Sequence, residues 1–213
     1  MKTVVIIQAR MGSSRFPGKV LEDLCGKPLI DHVIERAQAI PGIDDVVLNI
    51  PASVENYELS KGRNCTVYQI DNQEQDVLKS YIEVADLTRA NVIIRITGDC
   101  PLLAPDLSGE VLSLFREKGP DYCANIQPFT KWADGWDTEI FNYDMLWKAY
   151  TASKSRWAHE HVTVMMRQIG ACLYGPSAAE DFTMMKLSVD SHDDLERVRL
   201  IMDRVQQGEL GWK

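Results

Sequence analysis

The chain has 213 residues, 45% of them hydrophobic, and 31 acidic side chains against 23 Lys and Arg for a formal net charge of −8; this length fits one domain, residues 1–213, with a substantial core. An acidic balance without any lysine-rich run argues against a nucleic-acid partner. The strongest apolar runs, residues 4–7 and 92–94, are too short to cross a bilayer, and the beginning lacks the long apolar region of a signal peptide, so a cytoplasmic protein without a membrane partner is expected.

Residues 3–8 are apolar almost throughout and read as a buried strand. Residues 28–40 read as a helix, with Leu29, Ile30, Val33, Ile34, Ala37 and Ile40 at helical spacing. Strands are expected at 45–50 and 66–70, then a helix over 75–88 with Val77, Leu78, Tyr81, Ile82 and Ala85 on one face, then a strand at 91–96. Apolar strands alternating with amphipathic helices require an α/β fold: a Rossmann-like, mostly parallel sheet covered by helices on both faces. Residues 106–116 read as helical and 121–125 as extended. The pattern breaks over residues 126–142, where Pro128, Gly135, Trp132 and Trp136 mark a protruding excursion, its tryptophans exposed and suited to a subunit contact. Helices follow at 143–153 and 157–168, a strand at 185–189, and a last helix at 193–205 after Ser191.

The first strand runs directly into Gln8-Ala9-Arg10-Met11-Gly12-Ser13-Ser14-Arg15-Phe16-Pro17-Gly18-Lys19. Its glycines let backbone N–H groups approach an anion, Ser13 and Ser14 add donors, and Arg10, Arg15 and Lys19 concentrate positive charge in an acidic chain. This is a loop for a polyphosphate. It is not a Walker A loop, because Val20 stands where Ser or Thr would follow Gly18-Lys19, and no G-x-G-x-x-G dinucleotide fingerprint occurs.

A second buried strand ends in Thr97-Gly98-Asp99-Cys100-Pro101, at the end of an open α/β sheet where ligands collect. Asp99 suits Mg²⁺, which takes one or two carboxylates plus substrate phosphates; a turn cap before Pro101 is the alternative. A third segment, Val189-Asp190-Ser191-His192-Asp193, offers a second strand-end aspartate that either shares that metal or is a turn residue beside a helix cap. His159-Glu160-His161 lacks the i, i+4 spacing of a zinc-protease helix, so one histidine facing an acceptor substrate competes with a capping or solvent-facing role. Asp137 and Glu139 alternate in the strand sense, either contacting a polar substrate or charging an edge strand. Five scattered cysteines with no C-x-x-C pair exclude a disulfide framework, and Cys100, without an adjacent base, reads as a small packed thiol.

Together these segments resemble the cytidylyltransferase family that includes the CMP-sugar synthetases for 3-deoxy-manno-octulosonate and sialic acids, and within it the spore-coat-polysaccharide-biosynthesis branch. The likeness covers nearly the whole chain. It runs through Ile7-Gln8-Ala9-Arg10-Met11-Gly12-Ser13-Ser14-Arg15-Phe16-Pro17-Gly18-Lys19-Val20-Leu21, Gly26-Lys27-Pro28-Leu29 and Asp76-Val77-Leu78. It continues in Arg95-Ile96-Thr97-Gly98-Asp99-Cys100-Pro101-Leu102, Asp121-Tyr122, the stretch from Gly135 to Phe141, Glu160-His161-Val162-Thr163 and Val189-Asp190.

The resemblance implies a glycosyltransferase-A-like nucleotidyltransferase, usually a homodimer, that uses Mg²⁺ and transfers CMP from CTP to a sugar-like acceptor with release of pyrophosphate, in surface polysaccharide or glycan biosynthesis. By motif match Arg10, Ser14, Arg15 and Lys19 bind the triphosphate, with Ala9, Met11, Gly12, Ser13, Asp76, Thr97 and Gly98 on the nucleotide side. Asp99 and Asp190 hold the metal, and Arg10, Arg15, Lys19 and Asp99 carry catalysis by charge stabilisation. Asp137, Glu139, His159 and His161 fall on the acceptor side. The chain departs from the branch at His159, where Arg is usual, at Trp136, where Leu is usual, and at Asp71-Asn72-Gln73-Glu74, which lacks a glycine and bears on base selectivity. A sugar transferase of similar fold and a non-catalytic nucleotide-binding dimer are the competing readings.

Overall fold

The computed structural model describes residues 1–71 and 76–207. Strand β1 (Thr3–Gln8) is apolar on both sides because both are covered: Val5 and Ile7 enter one core, Val4 and Ile6 the other. After the phosphate-type loop come a small antiparallel pair, β2 (Asp23–Leu24) and β3 (Lys27–Pro28), and helix α1 (Leu29–Gln38). Next are β4 (Asp45–Pro51), β5 (Thr66–Ile70), helix α2 (Val77–Thr88), β6 (Val92–Thr97) and helix α3 (Pro105–Lys118). The second half contributes β7 (Tyr122–Ala124), β8 (Glu139–Asn142), α4 (Tyr143–Ala152), α5 (Arg156–Glu160), α6 (Val164–Ile169), β9 (Cys172–Tyr174) and α7 (His192–Gln206).

Seven strands form one sheet in the order β5-β4-β1-β6-β8-β7-β9. Pairing is parallel from β5 through β6 and between β7 and β9, while β8 runs antiparallel to both of its neighbours. Helices α1, α3 and α7 cover one face, through Leu29, Val111 and Leu195 among others. Helices α2, α4 and α6 cover the other, through Tyr81, Leu146 and Met166. The first loop, the turn after β6 and the N-terminus of α2 therefore share the carboxyl end of the parallel strands.

Four expectations are corrected. The excursion does not extend to residue 142, because Glu139–Asn142 is β8, an interior strand between β6 and β7 and not a charged edge. Trp132 and Trp136 are half-buried: they lie 5.8 Å apart and pack on Phe182, with indole N–H groups donating to Pro176 O at 2.7 Å and Leu102 O at 2.9 Å. Their apolar area is already used within the chain. The helix expected over 157–168 is two, α5 and α6, separated where Val162 takes φ +46. The strand expected over 185–189 is extended chain carrying a single bridge, Lys186 to Asp134.

Candidate active site

Two glycines shape the site. Gly18 adopts φ +76, which suits a residue without a Cβ, and its N–H donates to Met11 O at 2.9 Å to close the first loop. Gly98 continues the β1 ladder by donating to Gln8 O at 2.8 Å, and a Cβ there would lie 2.7 Å from the Cβ of Ala9. The two strand exits touch.

Between them opens a cavity of about 260 Å³. The first loop lines it with Ala9, Arg10, Ser13, Ser14, Arg15 and Lys19, the turn after β6 with Thr97, Gly98 and Asp99, and the segment before α7 with Asp190. Met11 and Gly12 belong to the loop without lining that space; Met11 packs partly on the core, and its N–H donates to Asn56 Oδ1 at 2.8 Å. Gln8 also lines the cavity, with a buried Oε1 that has no hydrogen-bond partner among the described residues.

Lys19 is the hub. Buried beneath the loop, its Nζ donates to Val189 O at 2.7 Å, to Asp99 Oδ2 at 2.8 Å and to Asp190 Oδ1 at 3.0 Å. Arg15 pairs with the same Asp190 oxygen at 2.9 Å, and Val189 N–H donates to Asp99 O at 2.9 Å. Burial pulls the Lys19 pKa down, but Asp99 and Asp190 outweigh it and leave the ammonium above its usual range. Burial pushes Asp190 up, yet Lys19 and Lys186 hold it below the usual carboxylate range. Two aspartates distant in sequence thus converge on one cation.

The Cys100 thiol is raised well above its usual range, first by burial and then by the charges of Asp99 and Asp137, so it stays protonated and serves as packing. Asp137 accepts from Gly135 N–H at 3.0 Å; burial, then the charges of Asp134 and Glu139, push its carboxyl up to about 6 although that bond lowers it. Gly135 itself has φ +104, and a Cβ on it would sit 2.6 Å from Ser188 N. The loop of Asp137 is packed tightly against the segment that leads to Asp190.

The remaining expected residues lie outside this cavity. Asp76 caps α2, with Oδ1 accepting from Lys79 N–H at 3.0 Å and Oδ2 facing His159 Nδ1 at 2.8 Å. His159 Nε2 faces Ser153 O at 2.7 Å, so both ring nitrogens meet acceptors; burial lowers its pKa, but Asp76 and Ser153 outweigh that and raise it. These two line a second cavity of about 550 Å³ together with Tyr150, Lys154 and Arg156. His161 ends α5, exposed, its ring against Trp157 at 5.3 Å. Glu139, expected at the acceptor, is instead an interior ion: it pairs with Arg95 and accepts from Thr163 Oγ1 at 2.7 Å and from Tyr122. The base-selectivity segment is only partly visible, since residues 72–75 lie outside the described residues.

Lys154, Arg156 and Lys186 were not anticipated. The first two precede the His-Glu-His motif, where closely spaced basic residues in an acidic chain are a usable signal. Lys186 sits in extended chain, where its spacing to Asp190 carries no pattern.

A family model described as cytidylyltransferase matches residues 4–204. The chain belongs to the cytidylyltransferase family. It is a nucleotidyltransferase, and its α/β fold is the one shared by solved members. A cytidylyltransferase from Leptospira borgpetersenii superposes with a TM-score of 0.85 at 22% identity, covering 98% of this chain and 96% of that one. A CMP:2-keto-3-deoxy-manno-octonic acid synthetase complexed with CTP superposes with a TM-score of 0.72 at 20% identity, covering 96% and 100%. In sequence, an uncharacterized protein of Methanocaldococcus jannaschii is 30% identical over 213 residues, 99% of this chain and 82% of that one. A 3-deoxy-manno-octulosonate cytidylyltransferase of Pseudoalteromonas translucida is 35% identical over 120 residues, 55% of this chain and 47% of that enzyme. The match therefore spans about half the length of that enzyme. Among the described residues no helix is long and apolar enough to cross a membrane.

Proposed function

We propose that this cytidylyltransferase moves CMP from CTP to a hydroxyl of a small sugar-like acid and releases pyrophosphate, with Mg²⁺ as cofactor. The observation that carries the reading is the convergence of Asp99 and Asp190 on Lys19 at the wall of the phosphate-loop cavity. In this reading Arg10, Ser14, Arg15 and Lys19 hold the triphosphate. The acceptor oxygen attacks the α-phosphorus in line, the bond to the bridging oxygen breaks with its electron pair going to pyrophosphate, and the hydroxyl proton passes to a base. Negative charge builds on the phosphate oxygens, and the fixed cations of the first loop stabilise it.

The residues fit the metal. Hard carboxylate oxygens of Asp99 and Asp190 already meet around one small cation, the Lys19 ammonium, at 2.8 and 3.0 Å. Among the described residues no group of three or more His, Cys, Asp or Glu is placed to hold a metal ion, so an ion here would rely on two carboxylates, substrate phosphates and water. When bound, Mg²⁺ supplies neutralisation of the charge on the α-phosphate and on the leaving pyrophosphate. Phosphate oxygens would draw Arg15 and Lys19 away from Asp190, freeing the carboxylates to hold the ion.

The acceptor side draws on the second cavity. Lys154 and Arg156 line it with no side-chain ion pair or hydrogen bond among the described residues, and the charge of Asp76 faces His159, so an acid is the favoured guest. Relatives named for octulosonates support the same class. Asp137, with its carboxyl at about 6, is mostly ionised at neutral pH and is the favoured base, with His159 and His161 as the alternatives. The reading further implies a cytoplasmic homodimer acting in surface polysaccharide or glycan biosynthesis. Its test is pyrophosphate release with each of the four nucleoside triphosphates against acidic sugars, polyols and phosphonates. CTP with an acidic sugar should give the fastest release, and release from a neutral polyol at the same rate would remove the acid from the proposal.

A further inference from the structure

We infer that Lys186 and Asp194 are positioning residues that set the carboxylate of Asp190, an inference resting on the proposed role of Asp190 as a metal holder. Backbone bonds tie the segment from Lys186 to Asp190 at Leu187, to Asp134 O, and at Val189, to Asp99 O, but they do not fix the Asp190 carboxylate, which side chains orient. The two oxygens of Asp190 go different ways. Oδ1 meets Lys19 and Arg15, both of which line the phosphate-loop cavity; Oδ2 meets Lys186 Nζ at 3.1 Å.

Lys186 is itself held. Its Nζ donates to Asp194 Oδ2 at 2.8 Å, and that oxygen also accepts from the N–H groups of Asp190 at 2.9 Å and Ser191 at 3.0 Å. The other Asp194 oxygen pairs with Arg197, whose Nε donates to the carbonyl of Lys186 at 3.0 Å. Backbone and side chain of Asp190 are thus both referred to one buried carboxylate. An ordinary capping box needs only Ser191 and Asp194, which α7 has; the ties through Lys186 and Arg197 go beyond capping. Neither Lys186 nor Asp194 lines the cavity, so both keep their grip when phosphate takes Lys19 and Arg15. Oδ1 then stays aimed inward.

At Lys186 position and charge predict opposite signs, which makes its substitution the decisive arm, whereas at Asp194 both predict weaker binding. Losing a nearby positive charge by itself would leave the site more negative and let Mg²⁺ bind more tightly; losing a support should weaken it, by about 10- to 100-fold for partners that orient a ligand. The experiment titrates Mg²⁺ at fixed CTP and reads the rise in Tm, for wild type, Lys186→Met, Lys186→Arg and Asp194→Asn, with CTP in EDTA as the second measurement. Expected are midpoints raised about 10- to 100-fold in Lys186→Met and Asp194→Asn, near-complete recovery in Lys186→Arg, and an unchanged CTP shift in EDTA. A Lys186→Met midpoint equal to or below wild type overturns the inference, as does an equal loss in EDTA. If wild type shows no Mg²⁺-dependent shift, the metal role of Asp190 fails first and this inference falls with it.

Discussion

Gly98 and Ala9 face each other across the exits of β6 and β1 with no room for a methyl group, since a Cβ on Gly98 would lie 2.7 Å from that of Ala9 and 3.1 Å from Gln8 O. Backbone stands in the way, so the strand exits must part. Gly98→Ala is expected to cost about 1–3 kcal/mol of stability, the usual range for overpacking, and to move Asp99 off Lys19. Denaturant unfolding should show the loss, and the Tm rise on adding CTP with Mg²⁺ should shrink. A variant with undiminished CTP stabilisation would mean that the close approach does not set the site.

Removing the hub takes away the one cation that Asp99 and Asp190 share, leaving Asp190 to Arg15 and Lys186. Lys19→Ala should therefore slow pyrophosphate release by a factor on the order of a hundred, about 3 kcal/mol in the barrier, while circular dichroism still shows a folded chain. Release at the wild-type rate would take Lys19 out of the machinery.

Asp137 gives a pH signature with a definite sign. Its folded-state carboxyl sits at about 6 against a reference of 3.8, so the native state holds the proton more tightly than the unfolded chain. Stability then falls as pH rises from about 4 to about 6, and the cost is fully present above that window, at most about 3 kcal/mol. Asp137→Asn should be the more stable protein at pH 8 and lose its advantage by pH 4. Activity should move the other way if this carboxylate takes the acceptor's proton. Equal stability of the two proteins at pH 8 would show that burial does not tax this group.

Arg95 and Glu139 form an ion pair in the sheet interior, with Tyr122 and Thr163 donating to the same carboxylate. Burial pushes Glu139 up, but Arg95 and the two hydroxyls outweigh it and keep the group ionised. Glu139→Gln strands a buried guanidinium and should cost about 3–5 kcal/mol of stability. The Mg²⁺ requirement of the surviving folded fraction should be unchanged, because Glu139 lies outside the cavity. A shift in Mg²⁺ dependence without loss of stability would return it to the substrate side.

The parallel half of the fold was legible because β1, β4 and β6 are buried on both faces and carry apolar runs that alternation cannot imitate. Strand β8 was not: it has four residues, and its charge at Glu139 is answered by an arginine on another strand. The break at Val162 places a β-branched residue at positive φ, which no local preference signals. In the site, the first loop announces itself locally through spacing and charge. The pairing of Asp99 with Asp190 is tertiary, so the residues alone offered a shared metal only beside a turn role for Asp190, and the resemblance chose between them. The support from Lys186 and the separation of Asp76 and His159 into a second cavity depend wholly on how the chain returns to itself.

In the proposed reaction Asp99 and Asp190 together hold a divalent cation at the triphosphate of CTP. A crystal structure with CTP and Mn²⁺, read by anomalous scattering, tests it most directly. One manganese peak is expected, bonded to an oxygen of each aspartate, with Lys19 and Arg15 moved onto phosphate. Manganese elsewhere, with Lys19 still lying between the two carboxylates, would contradict it.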